Sequence, residues 1–210
     1  MKKIRREDGQ ATREKLLTCA GKLIAAQGYE ATTSKEICEL AGTNPAAVNY
    51  HFGSRDGLYR ELLTMVHLHL MSIDTIQDIE TSSATPREKL RRFLAIFLRQ
   101  TLVEPSWELR VWLREILRPS PLFAETFTQN IVPKRDSLSR IFSAYTGLPV
   151  DDTRLRGAIL GFLAPFAALL LVHQESLGYE VVYERRHSLV TMVRSLEQFA
   201  FAGLDAFVVK

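Results

Sequence analysis

Little in this sequence staples or punctuates the chain. Its 210 residues include two cysteines, Cys19 and Cys38, too few for a disulfide framework. Each falls near an apolar helical face, so buried structural thiols are expected rather than a redox pair. Glycine and proline are sparse, at 11 and 8 residues, while apolar residues (46%) recur throughout at helical spacing. An all-α protein is the expectation. The chain lacks a Gly-rich phosphate loop, a serine nucleophile elbow and a His-Glu metal motif, so no enzyme, metal or cofactor is expected. The N-terminus runs Lys2-Lys3-Ile4-Arg5-Arg6 straight into acidic and polar residues. That is no secretory signal, and a cytoplasmic location follows. The longest apolar stretch, Gly157 to Val172, has sixteen residues. A membrane span needs about twenty, so no membrane partner is expected.

What is present is organised around Thr32 to Leu58. Thr33-Ser34-Lys35-Glu36 has the form of a capping box, and Ile37, Leu40 and Ala41 follow as one apolar face. Gly42 ends that helix in the left-handed region open to glycine. Asn44 as N-cap and Pro45 at the first helical position start a second short helix to Phe52, stopped by Gly53. In it only Val48 and Phe52, four residues apart, have the spacing of a buried pair. Thr43, Ala46, Asn49, Tyr50 and His51 are left for another use. Small residues at the start and hydrogen-bonding ones along its length suit insertion into a DNA major groove, as the second helix of a helix-turn-helix. The same bare spacing also serves as inert scaffolding. Charge agrees with the DNA reading: residues 1–60 carry ten Lys/Arg against seven Asp/Glu, and the remainder carries seventeen of each.

Gly28-Tyr29-Glu30-Ala31-Thr32-Thr33, then Ile37, Ala41-Gly42, Val48-Asn49-Tyr50-His51-Phe52 and Leu58 resemble the N-terminal signature of TetR-family (TetR/AcrR-like) transcriptional regulators. The resemblance covers roughly residues 12–62. Three positions depart from the family pattern: Asn49 stands where Tyr is usual, Cys38 where Ala is usual and Arg55 where Lys is common. These bear on the operator sequence. The resemblance implies a repressor that binds a palindromic double-stranded operator as a homodimer and is released by a small-molecule inducer. Thr33, Lys35, Thr43, Asn44, Ala46, Asn49, Tyr50, His51 and Arg55 are the expected DNA-binding residues, with Asn49 reading adenine and Lys35, Tyr50, His51 and Arg55 anchoring phosphates.

The chain reads as about nine helices. Residues 1–8 form a basic arm, and a first helix from about Thr12 to Gln27 packs Leu16, Leu17, Ala20, Leu23 and Ile24 behind the reading helices. Ser54 caps a fourth helix that continues to about Asp78 as a strut. Its His67 and His69, two apart, lie on different sides and make no metal pair. The expected domains are 1–60, a helix-turn-helix head whose fourth helix reaches about 80, and 81–210, for ligand binding and dimerisation. The second begins with a capping box at Thr85-Pro86-Arg87-Glu88 and continues in helices over about 86–102, 107–118 (with Leu109, Trp112, Leu113, Ile116 and Leu117 inward) and 121–145. The last two helices start at Asp151 or Asp152 and at Glu184.

Phe93, Phe97, Arg110, Trp112, Arg114, Phe127, Phe162, Phe166 and His173 describe apolar walls with a few polar groups, which fits a pocket, although for any single aromatic the sequence favours ordinary helix packing. The resemblance implies the pocket, for a hydrophobic or amphipathic inducer. Glu115 and His173 are the ionisable pair nearest strongly apolar helices. The final two helices carry more apolar surface than one helical module covers, which points to a symmetric partner. Gly157, Gly161, Leu189, Met192, Leu196, Phe199 and Gly203 are the expected seam. Two other readings stand beside the repressor: a DNA-binding architectural factor without a ligand, and an enzyme on a helical scaffold.

Overall fold

A computed structural model describes residues 2–103, 106–174 and 189–209. Among the described residues every regular element is helical: α1 (Lys2–Gln27), α2 (Ser34–Ala41), α3 (Ala47–Phe52), α4 (Arg55–His69), α5 (Ile73–Thr81), α6 (Pro86–Leu98) with a π-helical turn at Arg99–Val103, α7 (Trp107–Leu117), α8 (Pro121–Thr146), α9 (Thr153–Gln174) and α10 (Leu189–Asp205). The all-α expectation holds. The expected breaker Glu104-Pro105, the helix start at Glu184 and the side chains of Phe127, His173 and Leu189 lie outside the described residues.

The caps sit where local chemistry puts them. Thr33 and Thr85 each complete a capping box, with the side chain accepting from the N3 amide and the N3 glutamate accepting from the cap N–H. Ser54 and Ser106 accept from Gly57 and Leu109 amides to start α4 and α7. Two expectations fail. The basic arm is instead the first two turns of α1, because Lys, Arg and Glu are good helix formers and the lone Gly9 does not stop them. The long strut breaks after His69. Leu70 turns extended, Met71 takes φ 54°, and Ser72 caps a separate α5.

The chain forms two compact units, 1–70 with 106–132 and 71–105 with 133–210. In the first, α1 to α4 enclose Leu16, Ala20, Ile24, Ile37, Val48, Leu58 and Leu62, and α7 packs along α1 and α4 through Val111. Leu40 is 52% exposed, and Cys38 takes the core place expected of it. Ile116 and Leu117 are also exposed, because the last turn of α7 presents buried Glu115 inward instead. In the second unit, α5, α6, the later part of α8, α9 and α10 surround Phe142, Phe162, Phe166 and Phe201. Thr153–Leu170 of α9 reaches a mean hydropathy of 1.3, long and apolar enough to cross a membrane by length and composition alone. Within the single chain only 33% of that stretch is buried, so its own unit covers α9 on one side.

Candidate nucleic-acid interface

The reading head is built by short-range hydrogen bonds. Gly42 sits at φ 60°, ψ 40°, and its N–H and that of Thr43 return to carbonyls at the end of α2. Asn44 does not cap α3 directly. Its Oδ1 accepts from Ala46 N at 2.8 Å and its carbonyl from Ala47 N at 2.8 Å, making a turn that delays the helix by two residues. α3 is therefore six residues long and is held by Val48, fully buried, and by Ala47. Gly57 lets the first turn of α4 pass close to the Phe52 carbonyl, where a Cβ would collide.

This anchoring leaves one polar face outward. Thr33, Lys35, Asn44, Ala46 and Asn49 are exposed, Tyr50 is 85% exposed, and Thr43, His51 and Arg55 are half-buried. The Tyr50 and His51 rings meet edge to face at 4.9 Å, which limits both. Lys35 lies 3.8 Å from Glu39 in an exposed pair of little energetic weight. Arg55 is anchored through Nη1, which donates to the Thr32 carbonyl at 3.0 Å. A guanidinium has five N–H donors, so others remain for an anion.

The head is tied to α7 by residues that sequence reasoning gave other roles or passed over. Trp107 lies on Gly21 of α1, where a Cβ would fall inside the ring's van der Waals envelope. Arg114 donates from Nε to Ala25 O at 3.1 Å and from Nη2 to Ala26 O at 2.9 Å, a cation on the last-turn carbonyls of α1. Tyr59 donates to Glu115 Oε1 at 2.6 Å. Burial first, and then this bond, push the Tyr59 hydroxyl far above its ordinary pKa. Tyr29 donates to Asp56 and is pushed up to about 12, chiefly by burial. The only sequence signal for these ties was the oddity of Glu115 on an apolar helix.

The expected ligand residues do not come together in one unit. Arg110, Trp112 and Arg114 belong to the first, Arg110 exposed, Trp112 against the head's core and Arg114 on α1. In the second, Phe93 and Phe97 stack at 6.2 Å. Phe162 packs edge-on against Phe142 and Phe201, each at 5.2 Å, and Phe166 is fully buried. An open groove of about 440 Å³ lies elsewhere, between α6 and α10, lined by Arg87, Arg91, Arg194, Glu197 and Phe201 among others. Of the expected seam residues, Met192 and Leu196 pack on their own unit's core. A Cβ on Gly157, Gly161 or Gly203 would meet nothing within 4 Å, and Leu160 and Phe199 are 69% and 67% exposed.

A short helix fixed by its apolar side and offering hydrogen-bonding groups on the other, after a tight turn from a capped helix, defines a helix-turn-helix protein. The model of bacterial regulatory proteins of the tetR family matches residues 16–62, and that of the C-terminal domain of the HTH-type transcriptional dual regulator CecR matches residues 86–198. The chain belongs to the TetR family of DNA-binding transcriptional regulators. It is 27% identical over 180 residues to CecR from Shigella flexneri, covering 78% of this chain and 80% of that one. The fold is shared with HlyIIR, a hemolysin II transcriptional regulator (19% identity, TM-score 0.60, 96% and 99% of the two chains). It is also shared with AibR, solved with isovaleryl coenzyme A and operator DNA (18% identity, TM-score 0.61, 94% and 98%).

Proposed function

We propose that the protein is a ligand-responsive repressor that binds a palindromic operator as a homodimer and is released by a hydrophobic or amphipathic inducer. Residues 1–60 read DNA, and residues 81–210 carry the dimer and inducer functions. The observation that carries the reading is the outward face of α3, with Asn49 exposed and Tyr50 85% exposed on a helix pinned by Val48. Asn49 pairs with adenine N6/N7, and Arg55, Lys35, Tyr50 and His51 hold phosphates. Two heads at a fixed half-site spacing require the second copy. The exposed Gly157, Leu160 and Gly161 of α9 and Phe199 and Gly203 of α10 supply a seam in which small and bulky residues occur on both helices, as interdigitating helices need. The inducer site rests on family likeness, including the acyl-CoA in the AibR complex. The dual regulator CecR favours a second reading, in which the same dimer activates some promoters.

The test is a gel shift of the full chain on DNA upstream of its own gene and on duplexes recovered by in vitro selection. Selected palindromes should bind far more tightly than random duplex. Asn49→Ala should lose about 1–3 kcal/mol of discrimination at one base pair per half-site. Equal binding to all duplexes would sink the reading.

A further inference from the structure

Arg55 stands at the top of a pile of rings whose foot is a buried carboxyl group. Its guanidinium carbon lies 4.3 Å from the centroid of the Tyr29 ring. Tyr29 in turn lies flat on Tyr59, with centroids 4.2 Å apart and planes 10° from parallel. The Tyr59 hydroxyl donates to Glu115 Oε1 at 2.6 Å. Glu115 is 4% exposed, and its Oε2 accepts from the Ser120 amide at 2.8 Å and the Ser120 hydroxyl at 3.0 Å. Three donors from two directions therefore fix this carboxyl group, one from α4 and two from the corner between α7 and α8. Every link is within the first compact unit.

The links differ in stiffness. Stacked rings resist changes in separation but slide easily in plane. The Tyr59–Glu115 hydrogen bond removes that sliding, because a buried hydroxyl that moves off its acceptor has no water to replace it. Tyr29 is held laterally by Asp56, and Arg55 by Thr32 O. With the pile pinned at its foot, the half-buried Arg55 guanidinium is held in one orientation between Tyr29 and the Thr32 carbonyl. A phosphate contact gains from such preorganisation, since little side-chain freedom is left to lose on binding.

We propose that Glu115 is a positioning residue for DNA binding, which acts through Tyr59 and Tyr29 to set where Arg55 meets a phosphodiester of the operator. This rests on the reading of Arg55 as a phosphate anchor. It adds a role for α7, a helix outside the helix-turn-helix itself.

The experiment is a double-mutant cycle on the full chain, with a palindromic duplex selected on the unmodified protein, repeated across a KCl series. Arg55→Ala should lower the salt slope of binding by about one. Tyr59→Phe, which keeps the ring and removes only the hydroxyl, and Glu115→Leu should each weaken binding about tenfold and move the slope the same way. In the Arg55→Ala background neither should weaken binding further. Thermal melting reports folding separately. If both variants fail to fold, Tyr29→Leu, at a half-buried ring, carries the same cycle. Additive losses with an unchanged slope would overturn the proposal, as would an Arg55→Ala protein that binds like the unmodified one. Failure of the unmodified protein to bind any duplex would instead overturn the repressor reading.

Discussion

The two compact units are held together in opposite ways. In the first, contacts between α7 and the head are directional: Trp107 seated on Gly21, Arg114 on two carbonyls of α1, and Tyr59 on Glu115. In the second, aromatic rings meet edge to face around Phe162, and exposed ion pairs such as Arg91–Glu197 cover the outside. Directional contacts permit one arrangement, which a six-residue helix needs if it is to enter a groove at a set angle. Hydrophobic burial has no direction and stops only when apolar surface runs out. In the second unit it has not run out along α9 and α10, where Leu160 and Phe199 stay exposed, whereas in the first the exposed Leu40, Ile116 and Leu117 sit near the ends of α2 and α7. One unit is specified by its directional ties, the other leaves open on α9 and α10 the face assigned above to the proposed dimer.

The largest effect should come from closing that open face with a charge. Gly161→Glu adds a side chain where a Cβ meets nothing within 4 Å and removes a helix-interior glycine, so the isolated chain should fold and melt no lower than the unmodified one. The proposed dimer should dissociate, and operator affinity should fall by about 10²–10⁴, the avidity lost when two heads no longer bind together. Analytical sedimentation and gel shift check both halves. A dimer that survives with full affinity would move the seam away from α9.

A pair of alanine substitutions sharpens the contrast between the units. Gly21→Ala places a methyl group inside the Trp107 ring, and overpacking of this kind costs about 1–3 kcal/mol. The melting temperature should drop by about 2–4 °C per kcal/mol for a chain of this size. Gly157→Ala meets open space, and alanine in a helix interior is favoured by about 0.5–1 kcal/mol over glycine. At low protein concentration that variant should melt higher, while its dimer dissociates more readily. Equal behaviour of the two variants would erase the distinction between a closed and an open surface.

What the sequence made legible was local. The caps at Thr33, Ser54 and Thr85 and the stop at Gly42 depend on neighbours within four residues, and each forms as expected. The outward face of α3 was legible by subtraction, because Val48 and Phe52 alone had the spacing of a buried pair, and Asn49 and Tyr50 are indeed exposed while His51 and Phe52 are half-buried. The break at Met71 was not, since a positive φ at methionine has no sequence signature, and Ser72 alone hinted at a new start. Periodicity placed Leu40, Ile116 and Leu117 inward, but near helix ends the covering element decides, and Cys38 and Glu115 won those places. The Tyr59–Glu115 tie joins residues 56 apart, and nothing within either helix marks the other as its partner. Arg114 read as a pocket cation because it is a polar group among the aromatics of these helices and the resemblance implied an inducer site, yet it serves carbonyls nearly ninety residues earlier.

The smallest expected effect compares one motif in the two units. Thr33→Ala and Thr85→Ala each remove a capping box, and each should cost about 1 kcal/mol. Only the first should also weaken DNA binding, since α2 carries the turn into α3. The partner carboxylates add a pH signature. Glu36 and Glu88 are held below the ordinary glutamate pKa, first by the Thr33 and Thr85 backbone N–H groups and then by their hydroxyls. A carboxyl group whose pKa is lower when folded stabilises the fold above its unfolded pKa, and loses that contribution as pH falls through the folded value. Stability should therefore decline on the acid side of the ordinary glutamate range, and Glu36→Gln or Glu88→Gln should make that decline shallower. Melting curves from pH 7 downward measure it. If Glu36→Gln leaves the acid limb as steep as before, the α2 cap is an exposed contact that contributes nothing measurable, and the rigidity of the turn rests on Gly42 and Asn44 alone.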